Sequence, residues 1–183
     1  MRQEDKDRFP PMPAPLRNER QATIRFLRSS DVSLLGDFYD AMPPTAPRFY
    51  WPHPLIRENG EKWAREEADS PYCVTLVLET PEGEIAGYAW YRWRGEEAQA
   101  STYGICIRED YQGCSAGRVL TERLLHVAET VGPPIMRLTC QHANARAVQL
   151  YQKMGFQITK EGMVGARREY PAEPQYWMER RCH

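Results

Sequence analysis

Patterns of hydrophobic and polar residues divide the first half of the chain into a strand, two helices and a β-hairpin. Alternation over residues 22–28 predicts a half-buried strand. Helical spacing follows over residues 32–39, behind Ser30 and Asp31 as candidate caps, and a short helix is predicted at residues 61–68. Two apolar runs, at 72–79 and 84–93, are joined by Thr80-Pro81-Glu82-Gly83, which predicts a hairpin turn.

The second half of the chain alternates strands with helices. Residues 99–107 and 135–140 predict strands, and residues 117–130 between them predict a helix with one apolar stripe. A further helix at 144–154 is capped by Asn144 and ended by Gly155, and residues 156–160 and 175–179 can pair as closing strands. The order predicts one α+β domain, with a mixed twisted sheet of about six to seven strands flanked by about four helices.

The N-terminal residues show neither the alternation of a strand nor the spacing of a helix. Residues 1–20 contain four prolines, many charges and few residues of the kind that form a core. We therefore expect a flexible or partner-packed arm at 1–20, outside the core, and an ordered domain at 21–183.

Charge and composition limit the classes of partner that the protein could bind. The 183 residues include 24 Lys and Arg against 25 Asp and Glu, and the net charge of -1 gives no basic surface for nucleic acid. No apolar run approaches the roughly 20 residues that cross a bilayer. Residues 1–8 are charged and lack the apolar region of a signal peptide. We expect a cytoplasmic protein that binds neither nucleic acid nor membrane.

The cysteines do not indicate a metal site or a disulfide framework. The chain has five, an odd number without CxxC spacing, and the nearest approach to a zinc ligand pair is Cys140 with His142. Reduced thiols in a cytoplasmic protein explain this distribution better, and we expect no metal.

One segment has the order of an anion-binding loop. The predicted strand that ends at Ile107 leads through small residues at 112–117 directly into a helix. Such a turn directs unpaired backbone N–H groups at one point, where the helix dipole also favours negative charge. Small side chains let a diphosphate approach the backbone closely. The same pattern also occurs where a strand and a helix are merely connected tightly.

A second segment, residues 140–156, leaves a strand, caps a helix and ends in Gly-Phe. Together the two segments resemble the GCN5-related N-acetyltransferase (GNAT) superfamily. The later family motif is matched at Asn144, Ala147, Leu150, Tyr151, Lys153, Gly155 and Phe156. The pyrophosphate-loop motif is matched at Gln112 and Gly117, but Ser115 stands where a glycine is usual. Serine can supply the same backbone N–H, and the substitution is tolerable unless that position requires a positive φ.

The resemblance implies an acetyl-CoA site and a role for each matched residue. Backbone groups of Ile105 and Ile107 would pair with the pantetheine arm, which Asn144 would also hydrogen-bond. Tyr151 would protonate the departing thiolate, as a phenol can. Without the resemblance, Asn144 is a helix cap and Tyr151 a core residue. The pyrophosphate would be held by the backbone N–H groups of Gln112, Gly113, Cys114, Ser115, Ala116, Gly117 and Arg118.

The sequence leaves the general base and the acceptor pocket open. Many members of the superfamily use a glutamate on one of two splayed strands, but the corresponding strands here carry no carboxylate. His142, which could equally be a loop residue without a role, and Glu79, Glu96 and Glu97 are the candidates, and none is assigned. Aromatic residues are candidates for the pocket wall, with core packing or a dimer contact as the alternative: Phe49, Tyr50, Trp51, His53, Tyr88, Trp90, Tyr91 and Trp93.

Three functions remain at this point. The first is transfer of an acetyl group from acetyl-CoA to a primary amine of a small molecule, by direct attack in a ternary complex. The second is acetylation of a protein N-terminus or lysine side chain. The third is a catalytically idle module that binds acyl-CoA, which the missing carboxylate favours and Tyr151 opposes. A homodimer is possible in each case.

Overall fold

The computed structural model describes residues 3–50, 52–166 and 170–183. Its α-helices are α1 (Gln3–Asp7), α2 (Val32–Asp40), α3 (Arg57–Glu67), α4 (Ala116–Ala128) and α5 (Ala145–Lys153). Its strands are β1 (Met12–Pro13), β2 (Thr23–Phe26), β3 (Cys73–Glu79), β4 (Ile85–Arg92), β5 (Ala100–Ile107), β6 (Ile135–Gln141), β7 (Gln157–Val164) and β8 (Glu173–Arg181). Short 3-10 turns lie at Ser29–Asp31, Ala46–Arg48 and Glu109–Tyr111.

The strands of the described residues form one eight-stranded sheet in the order β1-β2-β3-β4-β5-β6-β8-β7. Neighbours are antiparallel except for β5 and β6, which run parallel and are connected through α4. The predicted α+β domain with a mixed sheet is confirmed. The sheet has one strand more than expected because residues 12–13 add β1, and α1 adds a helix in the same arm.

The predicted hairpin forms between β3 and β4. The Thr80 N–H donates to the Glu84 carbonyl at 2.8 Å, and the Gly83 N–H donates to the Thr80 carbonyl at 3.0 Å. Gly83 has φ of 84°, a conformation in which a Cβ atom is strained. Both strands are almost entirely buried, so the hairpin lies at the centre of the sheet.

Two hydrophobic clusters cover the two faces of the sheet. Side chains of β4 alternate between them, because successive residues of a strand point to opposite faces. Ala89 and Tyr91 belong to the cluster that includes the apolar face of α4. Tyr88 and Trp90 belong to the other cluster, with buried residues of α2 and α3.

The N-terminal arm is packed on the domain over its described residues. Phe9 and Ala14 are buried in the same cluster as the α4 residues, and β1 pairs with β2. The Lys6 ammonium donates to Asp69 at 2.8 Å, and the Arg17 N–H donates to the Cys114 carbonyl at 2.8 Å. The expectation that these residues lie outside the core is wrong for Phe9 and Ala14. Their environment comes from residues distant in sequence, which local composition does not show.

Candidate active site

The two parallel strands at the centre of the sheet diverge toward their C-terminal ends. Cα pairing between β5 and β6 is confined to Ala100–Thr102 against Ile135–Arg137. Farther along, β5 still pairs with β4 as far as Ile107, and β6 still pairs with β8 as far as Gln141. The diverging ends enclose a gap, and a gap of this kind leaves strand backbone groups available for a ligand.

The loop after β5 prepares the N-terminus of α4 for an anion. Gly113 and Ser115 both have left-handed backbones, with φ of 82° and 76°. The first helical hydrogen bond runs from the Val119 N–H to the Ser115 carbonyl at 3.0 Å. By helix geometry the N–H groups of residues 116–118 have no acceptor within α4, and the helix dipole makes this end positive. Such an arrangement suits an anion, and the assignment of this loop to a pyrophosphate stays a prediction.

Ser115 holds a conformation that favours glycine. The family motif has glycine at this position, and the structure shows why: the turn into α4 requires a positive φ there. A non-glycine residue in the left-handed region costs about 1–2 kcal/mol. The loop therefore forms around serine at a cost in stability.

The start of α5 brings Asn144 to the same gap. Its side-chain Oδ1 accepts from the Ala147 N–H at 3.4 Å, so Asn144 caps α5. This is the role that the sequence predicts for Asn144 without the family resemblance. Asn144 also lines the cavity described below, so a cap and a ligand contact are compatible at this residue.

Tyr151 lies near the end of α5 with its ring packed edge-on against two aromatic residues. The ring centroids of Tyr103 and Phe156 are 5.8 and 5.9 Å away. Burial, together with the neighbouring Tyr103 and Cys140, raises the pKa of Tyr151 well above its ordinary value. The phenol therefore keeps its proton at neutral pH and can give it to a stronger base.

These elements enclose a cavity of about 520 Å³. Ten of the eleven predicted site residues line it: Ile105, Ile107, Gln112, Gly113, Ser115, Ala116, Gly117, Arg118, Asn144 and Tyr151. Cys114 is the exception. Its side chain is buried in the core and its thiol donates to the Tyr111 carbonyl at 3.0 Å.

Residues 42–50, between α2 and α3, contribute lining that sequence reasoning only partly anticipated. Met42, Pro43, Thr45, Ala46 and Arg48 line the cavity beside the predicted Phe49 and Tyr50. Arg48 anchors this segment: its Nη2 donates to Glu173 of β8 at 2.7 Å, which holds the pKa of that carboxyl below its usual range. A pair separated by 125 residues leaves no local signal in the sequence. The other lining residues outside the prediction are Cys106, Glu109, Arg146, Ala147 and Leu150.

The remaining aromatic candidates lie away from the cavity wall. His53, Tyr88 and Trp90 pack in the layer beside Tyr50 and are not among the described lining residues. Tyr91 and Trp93 stack at 5.6 Å, and the buried Tyr91 belongs to the cluster on the other face of the sheet. For these residues core packing, the stated alternative, is what the structure shows. Trp51 lies outside the described residues.

None of the four candidate bases is among the described residues that line the cavity. Glu79 accepts from the buried Arg25 at 2.6 Å, which lowers the pKa of its carboxyl. His142 stacks on Tyr176 at 3.8 Å, and its Nε2 lies 3.4 Å from a Glu161 carboxylate oxygen. Glu96 and Glu97 are exposed in the connection from β4 to β5.

Other classes of site are not found in the described part of the chain. No group of three or more His, Cys, Asp or Glu there is arranged to hold a metal ion. All five cysteines are free, and four of them are buried. Among residues 3–50, 52–166 and 170–183, no helix combines the length and the apolar character that a bilayer crossing requires.

Two relatives of this chain are an acetyltransferase and an N-acyltransferase. The mycothiol acetyltransferase of Thermobifida fusca is 28% identical over 134 residues, which are 67% of this chain and 42% of that protein. The L-amino acid N-acyltransferase MnaT of Escherichia coli is 25% identical over 142 residues, 76% of this chain and 81% of that protein. The chain thus spans less than half the length of the first relative and about four fifths of the second.

Solved structures share the fold. The Salmonella typhimurium protein yncA, solved with its cofactor acetyl-CoA, superposes with a TM-score of 0.73 at 21% identity, over 88% of this chain and 94% of that one. The model of the acetyltransferase (GNAT) family matches residues 35–156, about two thirds of the chain. The family match confirms the expected acetyltransferase family, and the solved structures confirm the fold. The chain belongs to the GNAT family of acetyltransferases.

Proposed function

We propose that this protein transfers an acetyl group from acetyl-CoA to a primary amine of a small molecule. The observation that carries the proposal is the single cavity in which the gap between β5 and β6, the N-terminus of α4 and Tyr151 meet. The relative named for an L-amino acid N-acyl transfer supports a small amine as the acceptor.

The donor end of the cavity suits the cofactor that the family uses. Backbone N–H groups of residues 112–118 would hold the pyrophosphate, because several of them converge at the positive end of α4. The β5 segment with Ile105 and Ile107 borders the gap in which the pantetheine arm would lie. Asn144 would add a side-chain contact from the start of α5. Cys114 would contribute only its backbone, since its side chain lies in the core.

Tyr151 would act as the general acid. The amine nitrogen attacks the thioester carbonyl, the C–S bond breaks as the tetrahedral intermediate collapses, and the phenol proton of Tyr151 passes to the departing sulfur. Burial keeps the phenol protonated until the C–S bond breaks and makes the tyrosinate left behind costly. The tyrosinate is therefore reprotonated at once by the proton that the attacking nitrogen loses as the amide forms.

The cover over the acceptor end favours a small molecule over a peptide. Residues of the 42–50 segment line the cavity, and Arg48 ties this segment to β8 through Glu173. We place the acceptor beside it and call residues 42–50 the cover segment. An extended peptide would need an open groove at this place.

The experiment is a transfer assay over a panel of acceptors. Wild-type protein is mixed with acetyl-CoA and, separately, with L-amino acids, other small primary amines and lysine-containing peptides, and release of free thiol is followed. We expect thiol release with one or more small amines and none with peptides. Transfer only to peptides would favour the protein-acetylating alternative. Binding of acetyl-CoA without transfer to any acceptor would indicate an idle module.

We also propose that the protein works in the cytoplasm and forms a homodimer. Five free cysteines are typical of a reducing compartment. Ile158 and Met163 of β7, the strand at the end of the sheet, are exposed apolar residues that a second copy could cover. Sedimentation of the wild type beside an Ile158→Lys variant tests the dimer, and a monomeric wild type would contradict it.

A further inference from the structure

A chain of hydroxyl groups lies beside the acceptor end of the cavity. The Tyr39 hydroxyl of α2 is 2.6 Å from the Tyr88 hydroxyl of β4, and the Tyr50 hydroxyl is hydrogen-bonded to the same Tyr88 oxygen. The Tyr39 hydroxyl also lies 2.7 Å from His53 Nε2, and the Tyr50 hydroxyl lies 3.4 Å from the same nitrogen. The three tyrosines are buried.

The tautomer of His53 sets the direction of the chain, since either hydroxyl of each tyrosine pair can donate. When His53 Nε2 of a neutral imidazole accepts, Tyr39 donates to it. Tyr88 then donates to Tyr39, and Tyr50 donates to Tyr88. The Trp90 indole N–H, a donor only, points at the Tyr50 oxygen at 3.4 Å. The Tyr50 oxygen is left with capacity for one more donor.

Tyr50 is the member of this chain that reaches the cavity. It lines the cavity, whereas Tyr39, Tyr88 and His53 are not among the described lining residues. It also belongs to the segment that covers the acceptor end. The further donor that its oxygen can accept would therefore come from a molecule in the cavity.

The cavity offers few other groups for removing a proton. Among the described lining residues Glu109 is the one carboxylate, and it belongs to the turn that enters the pyrophosphate loop. Cys106 also lines the cavity, but burial raises the pKa of its thiol to about 12, so the thiol stays protonated. An acceptor amine must lose protons to form an amide, and the site needs a route for them.

We propose that Tyr50 accepts the proton that an ammonium acceptor loses before its nitrogen attacks, and that Tyr88 and Tyr39 relay a proton from it to His53. This inference rests on the proposed function. One proton moves at each step: nitrogen to Tyr50, Tyr50 to Tyr88, Tyr88 to Tyr39, and Tyr39 to His53 Nε2. Each hydroxyl gains one proton and gives one, so the tyrosines stay neutral and the imidazole becomes a cation that later releases its proton to solvent. Tyr88, Tyr39 and His53 act through Tyr50 and are positioning residues.

The surroundings suit a relay of neutral hydroxyls. Burial raises the pKa of Tyr39, Tyr50 and Tyr88, which makes a lasting tyrosinate costly and favours a concerted transfer. A neutral imidazole at the end of the chain is the strongest base among these groups.

Aromatic rings from three segments pack around His53. The Trp63 ring of α3 stacks on it at 5.3 Å, and Tyr39 and Tyr50 contact it from α2 and from the cover segment. Arg92 lies over the rings of Trp63 and Trp90. Burial keeps the nearby thiols Cys73 and Cys106 neutral by raising the pKa of each to about 12.

A substrate-free measurement tests the direction of the chain. Protein labelled with nitrogen-15 at its four histidines is examined by NMR above the pH at which His53 loses its charge, with the signal assigned by a His53→Gln variant. We expect the hydrogen of neutral His53 on Nδ1, because Nε2 accepts from Tyr39. A hydrogen on Nε2 would overturn the relay whatever the activity of the protein.

A kinetic comparison tests the function of the chain. The wild type and Tyr50→Phe are assayed with an amine from the panel that is mostly ammonium at the assay pH, and with hydroxylamine, which is mostly uncharged. We expect Tyr50→Phe to lower kcat about 100-fold with the ammonium acceptor, the usual scale of a lost proton-transfer group, and far less with hydroxylamine. Tyr91→Phe is the matched control, since it removes a buried, hydrogen-bonded hydroxyl on the other face of the sheet.

The pH profile separates a relay from a purely structural network. The relay requires an imidazole that can take up a proton, so the pH–rate profile of the wild type should contain an acid limb that His53→Gln lacks, together with a loss of rate. Equal losses with both acceptors, or an unchanged kcat in Tyr50→Phe, would overturn the relay while leaving the proposed function standing. A wild type that acetylates no acceptor would overturn the proposed function and the relay with it.

Discussion

Ser115 is the residue at which the pyrophosphate loop departs from its family motif, and its φ of 76° gives that departure a physical cost. We expect Ser115→Gly to raise the free energy of unfolding by about 1 kcal/mol, because glycine tolerates the left-handed region. Urea unfolding measures the change. Ser33→Gly in α2 is the control: its backbone is helical, so it should gain no stability. A Ser115→Gly variant that is no more stable would show that the serine side chain offsets its strain.

Tyr151 tests the proposed chemistry at a single hydroxyl. We expect Tyr151→Phe to lower kcat about 100-fold, because the departing thiolate loses its proton donor, and to leave acetyl-CoA affinity nearly unchanged. Steady-state kinetics and calorimetry with acetyl-CoA separate the two effects. A large loss of affinity at unchanged turnover would contradict the assigned role. The ring contacts with Tyr103 and Phe156 remain in the variant, so its fold should be kept.

At the scale of elements, the N-terminus of α4 should bind the diphosphate through its backbone N–H groups. A large side chain placed among these groups would block that binding. We expect Gly117→Glu to abolish acetyl-CoA binding through bulk and negative charge. Gly117→Ala is the matched control, since a Cβ atom there would meet Leu150 at 3.7 Å, an ordinary contact. The rise in melting temperature on adding acetyl-CoA is the readout, because a ligand of the folded state stabilises it. Equal affinity in Gly117→Glu would refute the loop assignment.

The elements that local patterns describe are the ones that could be predicted. The β3–β4 hairpin follows from a turn with a glycine at positive φ, and α5 follows from its cap at Asn144 and its end at Gly155. The turn before α4 was predicted as a loop, but its left-handed Ser115 was not, since serine gives no signal for that conformation. The observed boundaries of helices and strands differ from the predicted ones by a few residues, because the ends of these elements depend on packing as well as on sequence.

Contacts between distant residues explain what the sequence could not show. The Arg48–Glu173 pair fixes the 42–50 segment at the cavity, and its partners are 125 residues apart. Alternation within β4 sends Tyr88 and Tyr91 to opposite faces, so a run of aromatic residues that looked like one wall is divided between two clusters. The hydroxyl chain also joins residues that are distant in sequence, from α2, the cover segment and β4.

At the scale of the whole molecule, the N-terminal arm is the segment whose packing is least well predicted by its composition. The Phe9 side chain is 7% exposed, packs edge-on against His126 at 5.4 Å and lies under the Arg123 guanidinium. We expect Phe9→Ala to lower the free energy of unfolding by about 3 kcal/mol, the cost of emptying a buried aromatic site. Ile56→Ala, at a side chain that is 49% exposed, should change it by less than about 0.5 kcal/mol. Equal urea midpoints for Phe9→Ala and the wild type would show that the arm leaves the domain in solution, whereas the expected loss would make residues 3–20 part of the folding unit.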